Sequence, residues 1–343
     1  MAPLLETRNV TKAFGGGLFS PASKVALERI SLTIDDERPS VTVIAGESGS
    51  GKTTLARLLL GIIEPTSGQI LYRGKDLTKM SRAERKTFRR EVQAIFQDPF
   101  EVYNPFHKVD RVLTMPVRKF GLADSERAGR KLIEEALENV GLRPEETLGR
   151  FPHQLSGGQR QRIIVARALL LKPRVIIADE PVSMVDASLR ATILESLLKL
   201  SKELGIALVY ITHDLTTAYQ VGDRILVLYQ GAVTELGDVE RVIRQPQHPY
   251  TRLLVESIPL ADPERRWGED GLPVAADDLT EAGERGCKFA SRCPSRLPVC
   301  TERAVPIYRV HERQGVACFL HQERPVMAEA EIRTLGGTMA DVV

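Results

Sequence analysis

The sequence predicts an α/β fold built on a mainly parallel sheet, and three observations predict it. An apolar, β-branched run, Val41-Thr42-Val43-Ile44-Ala45, ends abruptly at Gly46-Glu47-Ser48-Gly49-Ser50-Gly51-Lys52, and helix-like spacing follows from Thr53 to Gly61. A second buried-strand pattern, Arg174 to Ala178, closes on Asp179-Glu180-Pro181, and a third, Ile206 to Thr212, closes on His213-Asp214. Strands that end in polar residues and alternate with helical patterns describe a parallel sheet with a site along its C-terminal edge.

The helical patterns between these strands run from Ser156 to Leu171 and from Ala187 to Leu204. Strand signals are sparse between Gln97 and Gln154. Ser125 to Val140 instead carries Leu132, Ile133, Ala136, Leu137 and Val140 at amphipathic spacing, which predicts a helical subdomain over about 97–160. Ile225 to Tyr229, Gln230-Gly231 and Ala232 to Leu236 read as a hairpin, a helix covers Val239 to Arg244, and the sheet should end soon afterwards. The reading divides the chain into a main domain over 1–258, a linker over 259–286, a cysteine-bearing extension over 287–325 and a tail over 326–343.

Composition excludes several classes. With 343 residues, 43% hydrophobic and 27% charged, the chain has ample apolar material for a core and is not a disordered protein. A balance of 47 Lys+Arg against 45 Asp+Glu gives no broad electrostatic footprint for nucleic acid, so none is expected as a partner. Apolar stretches such as Leu55 to Ile63 are interrupted by charges like Arg57, and no stretch is long enough to span a bilayer. The first ten residues include Glu6 and Arg8 without an apolar run, which makes the cytosol the default compartment. In that compartment four cysteines confined to the last sixth of the chain, Cys287, Cys293, Cys300 and Cys318, favour metal ligation over disulfides.

The Gly46-xxxx-Gly51-Lys52-Thr53 spacing matches a phosphate-binding loop: glycines let successive N–H groups turn toward one anion, and the helix that follows adds its positive end. Lys52 would reach the β- and γ-phosphates and Thr53 would offer its hydroxyl to Mg²⁺. Gly46, Ser48, Gly49, Ser50, Gly51, Lys52, Thr53 and Thr54 are the expected nucleotide contacts. Asp179, at a strand tip near that loop, is placed to hold Mg²⁺ through water, Glu180 to polarise the attacking water, and His213 to contact the γ-phosphate. Leu155-Ser156-Gly157-Gly158-Gln159 opens another helix, with Ser156 as a natural N-cap, and is a second anion-binding helix start in the same chain.

One nucleotide does not need two such cradles. With Asp179, Glu180 and His213, the pentapeptide resembles the signature of the ATP-binding-cassette (ABC) family, a P-loop NTPase fold of RecA-like type, over nearly the whole chain. The resemblance implies a head-to-tail dimer, with a second copy or a related subunit, in which Ser156, Gly157, Gly158 and Gln159 of one subunit close over ATP held by the other. It also implies that Gln97, in Ile95-Phe96-Gln97-Asp98-Pro99, senses the γ-phosphate and Mg²⁺, and that Asp186 is the D-loop aspartate. Phe14 is the expected adenine-stacking aromatic, with Phe19 as its rival. Pro181-Val182-Ser183-Met184-Val185-Asp186 departs from the usual Pro-Thr-Ser-Ala-Leu-Asp without removing a catalytic group.

The tail narrows the resemblance. Gln247-His248-Pro249-Tyr250-Thr251-Arg252, then Gly286-Cys287-Lys288-Phe289 and Arg292-Cys293-Pro294, are similar to the C-terminal extension of oligopeptide/dipeptide-type importer ATPases. That group works with two transmembrane permease subunits and, indirectly, an extracytoplasmic substrate-binding protein, which implies a peripheral position on the cytoplasmic face of the inner membrane. The C-x5-C-x6-C-x17-C spacing is unlike a C-x2-C ribbon; four thiolates suit a 4Fe-4S cluster or Zn²⁺, and the Cys-Pro step and the importer group favour the cluster. Oligopeptides are the expected cargo; oligosaccharide or nickel, or a non-transport ABC ATPase, are the alternatives.

Overall fold

The computed structural model describes residues 2–15, 23–37, 39–96, 103–183, 187–258 and 286–335. Gln97, Asp186, Phe19 and most of the 259–286 linker lie outside them. The chain opens with β1 (Leu5–Gly15) and β2 (Ser23–Ile34), an antiparallel pair, and passes into β3 (Val41–Ala45) and helix α1 (Lys52–Leu59). Strands β4 (Ser67–Tyr72) and β5 (Lys75–Asp76) return to β1, giving a four-stranded sheet in the order β2-β1-β4-β5. Helix α2 (Arg82–Glu91) begins at a capping box in which Ser81 and Glu84 satisfy each other's backbone N–H, and it leads into β6 (Val92–Ile95).

Helices α3 (Asp110–Phe120) and α4 (Glu126–Glu138), a single turn at Pro144–Thr147 and α5 (Gly157–Leu169) follow, with no strand among the described residues between Tyr103 and Leu169. Their apolar faces meet through Leu113, Val117, Ile133, Leu137 and Ile163, all buried in one cluster. The chain then alternates β7 (Val175–Asp179), α6 (Ala187–Lys202), β8 (Ala207–Thr212), α7 (Leu215–Val221) and β9 (Arg224–Tyr229), before turning into β10 (Ala232–Asp238), α8 (Val239–Arg244) and α9 (Pro249–Glu256).

The large sheet contains the order β10-β9-β3-β8-β7-β6, parallel from β9 to β6. Every residue of β3, β7, β8 and β9 is buried, because both faces of the sheet are covered. The strand period of two sorts these residues cleanly. Leu208 and Tyr210 of β8 face the cluster shared with the α3–α5 helices, while Val209 and Ile211 face α1 and the β1–β2 sheet.

The sheet does not stop at the hairpin. Strands β11 (Tyr308–His311) and β12 (Gln314–Val316) come from the extension, and β12 pairs antiparallel with β10, Val316 opposite Glu235. Helix α10 (Glu329–Thr334) carries the chain back to the amino-terminal sheet, where Glu329 accepts hydrogen bonds from Asn9 at 2.6 Å and Ser31 at 3.2 Å, and Arg333 pairs with Glu6. The extension has a small core of Ala290, Cys300, Tyr308 and Phe319, and Phe289 reaches into the main core.

Candidate functional site

Strands β3, β8 and β7 are neighbours, so the polar residues that follow each of them come to one edge of the sheet. After β3 the backbone turns through three left-handed glycines, Gly46 at φ 148°, Gly49 at φ 81° and Gly51 at φ 101°. A Cβ at Gly46 would stand 2.2 Å from the Leu228 carbonyl oxygen and one at Gly51 would stand 2.5 Å from that of Ala26, so neither position admits a side chain. Ser48 and Thr53 are exposed, Thr54 is half-buried and Ser50 is buried. The Gln230-Gly231 turn of the β9–β10 hairpin braces the loop from below, the Gly231 N–H donating to the Ser50 carbonyl at 2.9 Å.

Lys52, only 5% exposed, donates from Nζ to the carbonyls of Gly46 at 2.8 Å and Glu47 at 2.9 Å, so its charge lies inside the loop's curve. Burial pulls its pKa below the usual lysine value, against the opposing pull of Glu180, Asp179 and Glu47. Asp179, at the end of β7, is also buried. Desolvation raises its pKa, while a hydrogen bond with Thr53 and the charges of Lys52 and Arg57 hold it back. Among the described residues its Oδ1 has no hydrogen-bond partner, a costly state for a buried carboxylate oxygen and one that a divalent cation would relieve.

Glu180 stands at φ 47°, a conformation that costs a non-glycine residue on the order of 1–3 kcal/mol. It is fixed there by its N–H to Ile211 O at 2.9 Å and by Ser183, which donates from N and Oγ to its carbonyl at 3.2 and 3.0 Å. The result aims its carboxylate at His213, Oε1 to Nδ1 at 3.1 Å, with His213 more than half exposed. The loop, Lys52, Asp179, Glu180 and His213 are therefore brought together.

Other expected residues lie elsewhere. Ser156 caps α5, its Oγ accepting from Gln159 N at 3.2 Å while Gln159 Oε1 accepts from Ser156 N at 2.9 Å, and among the described residues its hydrogen bonds stay within its own helix start. Ser156 is exposed, and a Cβ on Gly157 would meet nothing within 4 Å; Gly158 is buried. Phe14 is 46% exposed near the end of β1, with Lys12 Nζ 5.1 Å from its ring centre, so it is no part of the core.

The cysteines differ from expectation. All four are free thiols in one small segment, and Cys318 senses the charges of Cys287, Cys293 and Cys300. Yet among the described residues no group of three or more His, Cys, Asp or Glu side chains could hold a metal ion, so the geometry does not bear out the iron–sulfur or zinc site. Cys300 is packed with Tyr308 and Phe319, and burial pushes the Cys287 and Cys318 thiols up to about 11. Sequence reasoning missed two contacts to the glycine loop. The Tyr250 hydroxyl accepts the Glu47 N–H at 2.9 Å, and Arg292 reaches the Glu47 carboxylate at 3.2 Å.

A loop shaped for phosphate oxygens, beside carboxylates able to carry a cation and orient a water, is the equipment of a nucleoside-triphosphatase of the P-loop class. Comparisons with known proteins narrow this. A family model described as "ABC transporter" matches residues 27–183, and one described as "Oligopeptide/dipeptide transporter, C-terminal region" matches residues 234–300. The chain is 38% identical to a "Probable peptide ABC transporter ATP-binding protein" of Sinorhizobium fredii, over 95% of this chain and 91% of that one. It is 42% identical to a "Glutathione import ATP-binding protein" of Salmonella paratyphi A, over 77% of this chain and 42% of that one. Among solved structures, cbiO1 of Clostridium perfringens, part of the ABC transporter complex cbiONQ, aligns with a TM-score of 0.61 at 29% identity, covering 71% of this chain and 92% of that one. A dimeric ATP-binding cassette in a post-hydrolysis state, bound to ADP and Pi, aligns with a TM-score of 0.59 at 30% identity, over 68% and 98% of the two chains. The chain belongs to the ABC transporter family, as an ATP-binding subunit of the oligopeptide/dipeptide type, and it is an ATPase.

Proposed function

We propose that the chain hydrolyses ATP to drive import of peptides through separate membrane subunits, and that it does so as one half of a nucleotide-sandwich dimer. The observation that carries the reading is the meeting of buried Lys52, an Asp179 oxygen without a partner among the described residues and the Glu180–His213 pair at one sheet edge, while Ser156 stands exposed at its capped helix start. In this reading Gly46, Ser48, Gly49, Ser50, Gly51 and Thr54 cradle the phosphates, and Lys52 and His213 stabilise the γ-phosphate. Thr53 and Asp179, with Gln97, hold Mg²⁺, which would supply charge neutralisation on the phosphates. Glu180 orients and deprotonates the attacking water, Phe14 stacks on adenine, and Ser156, Gly157, Gly158 and Gln159 of the partner cassette, with Asp186, complete the site.

Two permease subunits on the membrane, coupled through Gln97 and the α3–α5 helices, are the partners this implies. A substrate-binding protein on the far side would choose the cargo, and the chain would sit peripherally on the cytoplasmic face of the inner membrane. No helix among the described residues is long and apolar enough to cross a membrane. Peptide cargo is favoured over oligosaccharide or nickel by the tail match and by the names of the relatives. Glu180→Gln should retain ATP binding and lose turnover by at least about 100-fold, read as phosphate release; unchanged release would refute the assignment of the base.

The 4Fe-4S cluster, with Zn²⁺ as the lesser choice, is a separate reading of the tail. Mutual proximity of the four thiols supports it, and the lack of a metal-holding group among the described residues opposes it. Anaerobically purified protein should carry about four iron atoms and about four acid-labile sulfides if it is right, and neither if the cysteines are plain packing groups.

A further inference from the structure

The glycine loop contains a charge that its chemistry does not call for. Glu47 follows Gly46 directly, so a carboxylate lies within the segment that receives a highly anionic ligand. Left alone it would repel the phosphates. The structure gives it a partner from 245 residues away: Arg292 Nη1 lies 3.2 and 3.3 Å from the two Glu47 carboxylate oxygens.

Arg292 is itself held in place. Its Nη1 donates to the Tyr229 hydroxyl at 3.2 Å, and its guanidinium centre lies 5.7 Å from the Tyr229 ring and 5.6 Å from the Phe289 ring. Those rings belong to a cluster with Tyr250, whose hydroxyl accepts the Glu47 N–H. Both backbone and side chain of Glu47 are thus fixed by residues beyond the hairpin or at its end, and the cation comes from the cysteine-bearing segment.

We propose that Arg292 is a positioning residue of the ATP site: by neutralising Glu47 it removes a repulsion from the glycine loop, so the cysteine-bearing extension sets the chain's affinity for the triphosphate. This rests on the reading that the glycine loop binds ATP. Both side chains are about one-third exposed, so solvent screens the pair and the effect is moderate. A carboxylate left uncompensated about 8 Å from a single unit of phosphate charge, at an effective dielectric of about 40, corresponds to about a fivefold change in binding, which sets the order of the expected loss.

The test measures ATP affinity of the full-length chain with a fluorescent nucleotide competed by ATP, together with KM and kcat. Lys52→Ala should abolish binding in every background, and a failure there would count against the glycine-loop reading itself rather than against the role of Arg292. Arg292→Ala should weaken ATP binding and raise KM by about fivefold with kcat little changed, whereas Arg292→Lys, which keeps the charge, should stay within about twofold of the parent. Glu47→Gln should bind at least as tightly as the parent, and in that background Arg292→Ala should cost little. An Arg292→Ala variant with unchanged affinity would overturn the proposal. So would a loss that Glu47→Gln does not rescue, or a Glu47→Gln variant that binds more weakly than the parent; the last readout does not depend on Arg292→Ala folding.

Discussion

Glu180 shows how local strain and chemistry coincide in this site. A glutamate at φ 47° is held by two backbone hydrogen bonds and the Ser183 hydroxyl, and the same constraint turns its carboxylate to His213. Gly157 is the contrasting residue: the first turn of α5 gives it ordinary helical backbone and open space around its missing Cβ. A side chain there should be neutral for the isolated fold and harmful only to whatever the helix start meets. Gly157→Asp is therefore expected to shift the melting temperature by no more than about 2 °C while eliminating ATP-stimulated association with a partner cassette, because a carboxylate would face the γ-phosphate. Melting curves and light scattering with ATP check both halves; retained association would remove the partner role of this helix start.

At the scale of elements, α9 ties the extension to the cassette through buried polar groups. His248 caps the helix, its Nδ1 accepting the Tyr250 N–H at 3.0 Å, and its own N–H donates to Glu235 at 2.9 Å; Gln314 of β12 donates to the same carboxylate at 2.7 Å. Burial lowers the His248 pKa from 6.5 to about 3. The unfolded chain therefore binds the proton more readily, so stability from this group is full above about pH 6.5 and is lost as pH falls from 6.5 toward 3. His248→Asn, which can cap but does not titrate, should flatten the melting temperature over that window relative to the parent; an unchanged slope would show that His248 titrates alike in the folded and unfolded chain. The parallel strands β3, β7 and β8 were legible because burial on both faces writes a continuous apolar run. Strands β11 and β12 were not: Tyr308–His311 and Gln314–Val316 are short and mixed in polarity, and they join the sheet through β12 on the β10 edge, with β11 paired to β12. The glycine loop and strand-tip carboxylates were legible because their chemistry demands fixed local spacing. Arg292 and Tyr250 were not, since a contact spanning more than 200 residues leaves no local pattern.

At the scale of the whole molecule, the two helix starts proposed as halves of a nucleotide cradle lie on separate elements of the chain. The glycine loop follows β3, and the Ser156 helix start closes on itself through its capping box. In the proposed function the two become one site only when a second cassette is present. The most direct measurement is the structure of the Glu180→Gln chain trapped with ATP and Mg²⁺ together with its partner cassette. A γ-phosphate within hydrogen-bonding distance, about 3 Å, of both Lys52 of one chain and the signature serine of the other is the expected result. A γ-phosphate contacted by one polypeptide alone, with the opposing helix start remote, would contradict it.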